Sequence, residues 1–270
     1  MRMVRLYIWR IFSFLKWYAK AQNAHGLHSP FVFNLYNSVV SKRNYKASSF
    51  PAKLHQIEGL RAGLSQQSST VEVTDFGTGG SQTPFRKLSI PALVSMTTPK
   101  QQGWFMYNLV RFLAPKTVLE LGTNLGIGTA YFKLALDTDA QIFTVEGCPN
   151  ITELAKTNFK ALAFNHIHQI TGNLDELLPQ VLDKIPAPDF VYFDANHAYL
   201  PTLRYFELCL KVKQENTVFL FDDLRYSPEM LAAWHKIQNH PEVQVSIDLF
   251  DQGIVLFNKK MSKQKFYLKP

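Results

Sequence analysis

The stretch 117–131, TVLELGTNLGIGTAY, decides the fold. It reads as a short apolar strand, 118–121, that runs into a glycine loop and then a helix. Gly122, Gly126 and Gly128 let the backbone turn tightly and approach a ligand with no Cβ in the way. The N-terminal N–H groups of the following helix point at that ligand. The spacing, Gly122-x3-Gly126-x-Gly128, is not the G-x-G-x-x-G of a dinucleotide loop. Glu120, just upstream of Gly122, suits a ligand that carries positive charge. Taken alone, the loop is equally a ligand cradle or a tight strand-to-helix turn.

Working outward, the 270 residues suffice for one large domain with an appendage, and 46% of them are hydrophobic. Cys148 and Cys209 have no metal-ligand spacing, and so few thiols suit a reducing, cytoplasmic compartment. No apolar run reaches the roughly 18 residues of a membrane span. The net charge of +8 is unevenly placed. Residues 1–60 hold nine Lys/Arg and one acid, Glu58, and residues 259–270 hold five lysines and no acid. The stretch between them has 15 Lys/Arg against 20 Asp/Glu. A mildly acidic core with basic ends is a statement about surfaces.

Residues 1–22 have helical amphipathicity. Val4, Tyr7, Ile8, Ile11, Phe14, Leu15 and Tyr18 share one face, opposite Arg2, Arg5, Lys16 and Lys20. Trp9 and Trp17 fall on or beside the basic side. The apolar face is expected to cover the chain's own core; a membrane interface or an acidic partner is the alternative. His25 and His28 sit in a turn before a helix over 31–40, since Gly26 and Pro30 oppose a helical metal pair. A helix is expected over 52–64. Asp75-Phe76-Gly77-Thr78-Gly79 is a second glycine loop after a short strand. A nucleotide-type site wants an acid at the end of the next strand, ~20–30 residues on. Counting from Asp75 meets no acid, whereas counting from Glu120 meets Glu146. The 117–131 loop is therefore the cradle, and the Asp75 loop is structural or part of a lid.

From Met96 onward strands and helices alternate. After the helix 101–113, strands are expected at 118–121, 141–146, 166–170, 190–194 and 217–222, with helices between them. The chain then closes with a hairpin, 243–250 and 254–258, around Asp251-Gln252-Gly253. With Glu120, Gly122 and Gly126 in E-x-G-x-x-x-G spacing, this pattern resembles the class I S-adenosylmethionine (SAM) methyltransferases. Over 96–258 it resembles most the catechol and caffeoyl-CoA type O-methyltransferases. The resemblance implies an α/β, Rossmann-like, seven-stranded, mostly parallel sheet of order 3-2-1-4-5-7-6 with an antiparallel last hairpin, preceded by a mainly helical segment. It divides the chain into a cap or lid (1–95), a SAM-binding domain (96–260) and a basic tail (261–270).

The same resemblance assigns the SAM site. Met96 precedes Gly103 by seven residues, and Met96 and Thr98 cover the cofactor. Glu120, Gly122, Thr123, Asn124, Gly126 and Gly128 form the first motif. Glu146 takes the ribose hydroxyls, and Gly172 with Asn173 read the adenine edge. Asp194 ends the fourth strand beside His197. In the catechol-type enzymes the matching acids and an Asn hold a divalent cation. Asp194, Asp222 and Asp223 are oxygen donors that suit Mg²⁺ or Ca²⁺. Two departures stand out: Asp223 replaces the family's Asn, and His197 replaces its Lys base. His197 is able to act as base without a metal, so metal-free and metal-assisted routes both stand. Arg204, Arg225, Tyr226 and Trp234 are candidates for shaping the acceptor pocket.

The expected activity is methyl transfer to a hydroxyl of a small molecule. RNA or another nucleic acid is disfavoured as acceptor, because Asp194-Ala195-Asn196-His197 lacks the paired prolines of amino-directed base methylases. A catalytically silent scaffold at a membrane surface is the remaining alternative. Residues 1–95 suit a lid, the arm of a homodimer or a peripheral membrane foot.

Overall fold

Apolar runs buried on both faces make the central strands. In the computed structural model, which describes residues 2–42, 51–74 and 85–270, β3 (Thr117–Leu121), β6 (Phe190–Phe193) and β7 (Val218–Phe221) have no exposed residue. Such runs need a covered face on either side, the environment of a parallel sheet with helices on both faces. Together with β4 (Gln141–Glu146), β5 (Ile167–Thr171), β8 (Val245–Asp248), β9 (Gly253–Leu256) and β10 (Gln264–Tyr267) they form one sheet of order β5-β4-β3-β6-β7-β9-β8-β10. Strands β3 to β7 run parallel, and β9 is antiparallel to both β7 and β8.

The first seven strands in that order match the expected 3-2-1-4-5-7-6. The eighth corrects the sequence reading. The segment read as a basic tail supplies β10, parallel to β8, with Phe266 and Leu268 buried. Its lysines face outward while alternate residues enter the core, so its composition hid the strand.

Helices cover both faces. On one, α2 (Pro30–Leu35) and α5 (Lys100–Leu113) join Val118, Ile142, Phe190 and Leu220 in a core. On the other, α8 (Leu174–Lys184), α9 (Tyr199–Val212) and α10 (Pro228–Gln238) join Leu119, Val191, Phe219 and Phe221. A third core gathers α3 (Ala52–Ser65), α4 (Ile90–Ser95), α6 (Ile127–Ala135) and α7 (Pro149–Ala161). The N-terminal segment is mainly helical, and it also carries an antiparallel pair, β1 (Thr70–Thr74) with β2 (Phe85–Ser89). That pair docks at the start of α7, where Asn150 Nδ2 donates to the Glu72 carbonyl at 2.8 Å. The Asp75 loop lies outside the described residues.

Helix α1 (Arg2–Tyr18) overturns an expectation. Its inward side is Arg10, Ser13 and Trp17, not the apolar stripe. Trp17 Nε1 donates to the Asp248 carbonyl at 3.1 Å, and Arg10 pairs with Asp251 at 2.6 Å. Phe14 and Trp17 pack on Phe250. These polar anchors hold the helix by its mixed side and leave Val4, Tyr7, Ile8, Ile11, Phe12, Leu15 and Tyr18 exposed.

Candidate active site

The loops that leave the C-terminal ends of β3, β4, β6 and β7 meet in a cavity of about 480 Å³. This is the switch point of the sheet, where β3 is flanked by β4 on one side and β6 on the other. Met96, Thr98, Gly122, Asn124, Glu146, Asn173, Asp194, His197, Asp222 and Asp223 all line it. The β1–β2 pair adds Val73, Thr74, Arg86 and Leu88 to the rim.

The remaining expected residues sit behind the lining. Glu120 is buried beneath the loop and accepts hydrogen bonds from Thr129 Oγ1 at 2.5 Å and Thr144 Oγ1 at 2.7 Å. Burial pushes its carboxyl up to about 7, against those two bonds. Thr123 turns to Thr144 at 2.5 Å. Gly126 caps α6 at φ 75°, where a Cβ would meet Phe159 at 2.5 Å. Gly128 backs onto Thr98 and Glu120, and a Cβ at Gly172 would press on Leu177. At Gly122, φ is 104° and a Cβ would strike the main-chain carbonyl of Asp194, so the loops that follow β3 and β6 meet here backbone to backbone.

Glu146 receives the amides of Asn124 at 2.8 Å and Cys148 at 3.0 Å. Its carboxyl is raised by burial, and those amides oppose the shift. Asn124 is itself left-handed at φ 47°, donates Nδ2 to the Met96 carbonyl at 3.2 Å, and keeps a buried Oδ1 with no hydrogen-bond partner among the described residues. Asn196 (φ 60°) and Asp223 (φ 53°) are left-handed too. These three left-handed residues follow β3, β6 and β7 around one cavity, and all are Asn or Asp, the side chains other than glycine that adopt this conformation most readily.

Across the cavity lie the acids. Asp222 is buried; its Oδ2 accepts from Tyr192 Oη at 2.6 Å and from Gln102 Nε2, and its Oδ1 accepts the Asp223 amide at 2.8 Å. Burial and the neighbouring Asp223 push it up to about 7. Asp194 is raised well above the carboxylate range by burial, then by Asp222, Asp223 and Glu120. His197 Nε2 lies 3.5 Å from Asp194 and 3.8 Å from Asp223, and its ring centre is 5.6 Å from that of Tyr226. Burial lowers the imidazole pKa, and Asp223 partly offsets this.

The expected cation set does not assemble. Among the described residues no three His, Cys, Asp or Glu side chains converge as metal ligands. Asp222 Oδ2 is engaged by two protein donors and its Oδ1 by one. A SAM-like cation does fit: the cavity offers crowded acids to which, among the described residues, no Lys or Arg is paired, an orphan Asn124 oxygen, and a backbone cradle at Gly122.

Three of the pocket candidates have other work. Arg225 and Trp234 are buried on Asp248, the guanidinium bidentate at 2.9 and 3.0 Å and the indole N–H at 3.1 Å. Arg204 pairs with Asp175. His25 and His28 are exposed and line neither of the two cavities described. Sequence reading missed Gln102 and Tyr192. Tyr192 lies two residues before Asp194, on the same face of β6, so a strand-period count from Asp194 was the available signal. Gln102 lies on α5 and meets Asp222 only through the tertiary fold.

The sheet order, the glycine cradle and the acids at the β6 and β7 ends agree with the methyltransferase resemblance of the sequence. Residues 119–224 match the family model described as a methyltransferase domain. A catechol O-methyltransferase of Niastella koreensis is 27% identical over 139 residues, which is 51% of this chain and 62% of that protein. The match thus takes in less than two thirds of that relative. An O-methyltransferase from Bacillus cereus in complex with SAH superposes with a TM-score of 0.55 at 19% identity, covering 77% of this chain and 91% of the other. An SAH-bound methyltransferase of Podospora anserina gives 0.59 at 16%, covering 77% and 88%. At these identities the two structures speak for the fold. Among the described residues no helix is long and apolar enough to cross a membrane.

Proposed function

We propose that the chain transfers a methyl group from SAM to a hydroxyl oxygen of a small molecule, with His197 as the base and no metal in the step. The observation that carries this reading is the single cavity holding Asn124 and Glu146 at one side and Asp194 and His197 at the other. When bound, SAM supplies an electrophilic methyl group. Glu146 offers acceptor oxygens to ribose hydroxyls, Asn124 Oδ1 offers one to an ammonium, and Asn173 stands at the adenine end. Glu120 holds Thr129 and Thr144, and through them the loop.

The chain's own chemistry at the other end is proton removal. His197 is kept neutral by its lowered pKa, so a ring nitrogen is free to accept the acceptor's proton at neutral pH. A second cavity of about 570 Å³, lined by Trp104, Phe105, Leu249 and Asp251, shares Pro99 and Gln102 with the first and has room for the acceptor's body. The acceptors of the relatives, a catechol among them, are the first to try.

SAH should raise the melting temperature, with about 2.7 kcal/mol of stabilisation at 100 times its Kd. His197→Ala should keep that shift while methyl transfer to a catechol panel falls by ~10²–10⁴-fold, and chelator should leave the wild-type rate unchanged. No shift at millimolar SAH defeats the cofactor assignment. A rate that needs a divalent cation defeats the metal-free step.

A further inference from the structure

We infer that α1 is a docking helix whose outward apolar face lies in the interface of an anionic lipid bilayer. Val4, Tyr7, Ile8, Ile11, Phe12, Leu15 and Tyr18 form a continuous stripe down its outer side. Tyr7 is 69% exposed, Ile11 and Phe12 59% each and Leu15 55%. Scattered apolar residues on a surface mean little, but seven on one helix face make a patch of the kind that marks an interaction site. The helix is not loosely attached. Arg10, Ser13 and Trp17 fasten its other side to Asp251, Arg225 and Asp248, the Ser13 and Trp17 bonds buried and the Arg10 pair half-exposed, so the stripe is presented outward.

Charge names the occupant. Residues 1–28 contain no acid. Arg5 and Lys16 are exposed along one flank of the stripe. At the helix end, Lys269 lies over the Tyr18 ring at 4.5 Å and Lys20 over Tyr267 at 5.4 Å, which sets two more cations beside the stripe. An amphipathic helix with bulky apolar and aromatic residues on one face and cations at its margin is the form that binds acidic headgroups while burying its apolar side. A second copy of the chain fits less well. Antiparallel pairing of two such helices sets the Arg5–Lys16 flank against itself, like charge on like charge, with no acid on either helix.

The full chain should float with phosphatidylcholine vesicles that contain phosphatidylserine and stay behind with phosphatidylcholine alone. Ile11→Glu with Leu15→Glu should abolish flotation while the melting temperature and the SAH-induced shift are unchanged, since neither side chain packs inward. Arg5→Gln with Lys16→Gln should weaken binding roughly thirtyfold, at about fivefold for each cation near the surface. Absence of flotation with acidic vesicles overturns the inference, as does equal flotation with neutral ones. So does a concentration-dependent dimer that the Ile11→Glu change abolishes in a chain that ignores vesicles. Because the SAH shift is read separately, failure here leaves the methyl-transfer reading intact, and the converse holds.

Discussion

Two groups of buried acids lie close together at one end of the sheet and are treated in opposite ways. Asp248 at the end of β8 is wholly buried and wholly answered. Arg225 grips both its oxygens, Trp234 adds an N–H, and the Phe250 amide adds another at 2.9 Å. Asp222 and Asp194 at the ends of β7 and β6 have neutral donors, each other and the His197 ring, and among the described residues no Lys or Arg pairs with either. The first arrangement uses up its charge in holding α1, α10 and the hairpin together. The second leaves charge unanswered next to a cavity, and the pKa of each acid rises in consequence. An acid cluster is thus read by its cations: where they are built in, the acid is structural, and where they are missing, a ligand is expected to bring one.

Breaking the answered side should give the largest effect. Arg225→Ala strands Asp248 without its partner and should cost about 3–5 kcal/mol in urea unfolding. A loss under 1 kcal/mol would mean that the pair is not the anchor it looks like.

The unanswered side should show itself in pH dependence. Asp222 binds its proton more tightly folded than unfolded, with a folded pKa of about 7 against an ordinary 3.8. The native state therefore holds more protons between those values, and stability falls as pH rises from about 4 to about 7, by at most about 1.4 kcal/mol per pH unit for each such group. Asp222→Asn should flatten that slope, and an unchanged slope would remove Asp222 from the account. The smallest change expected is Tyr192→Phe. Losing one hydrogen bond should cost about 1 kcal/mol and, because that bond favours the ionised acid, move the midpoint of the slope to higher pH.

Much of the fold was legible because the alternation after residue 117 is written in long, periodic apolar segments, and the Asp251-Gln252-Gly253 turn marks where parallel order ends. β10 was not, because at the sheet edge only Phe266 and Leu268 need be apolar, and five lysines outweigh them in any composition count. The amphipathic pattern of α1 was correct as a pattern and silent on direction. Periodicity finds a face, and only the tertiary contacts of Arg10, Ser13 and Trp17 show which face turns inward. In the site, the residues on strand-end loops were readable by order and spacing. Tyr192, Gln102 and the two satisfied oxygens of Asp222 were not, since each depends on a neighbour brought in from another element. The cation expected between Asp194, Asp222 and Asp223 came from family likeness, and among the described residues no three such side chains are grouped as metal ligands.

Gly122 meets residue 194 through its carbonyl and not through its side chain. This contact between the loops that follow β3 and β6 therefore does not use the side chain at 194. A change of side chain at 194 should thus alter the charge beside His197 while this backbone contact keeps the two loops at their spacing.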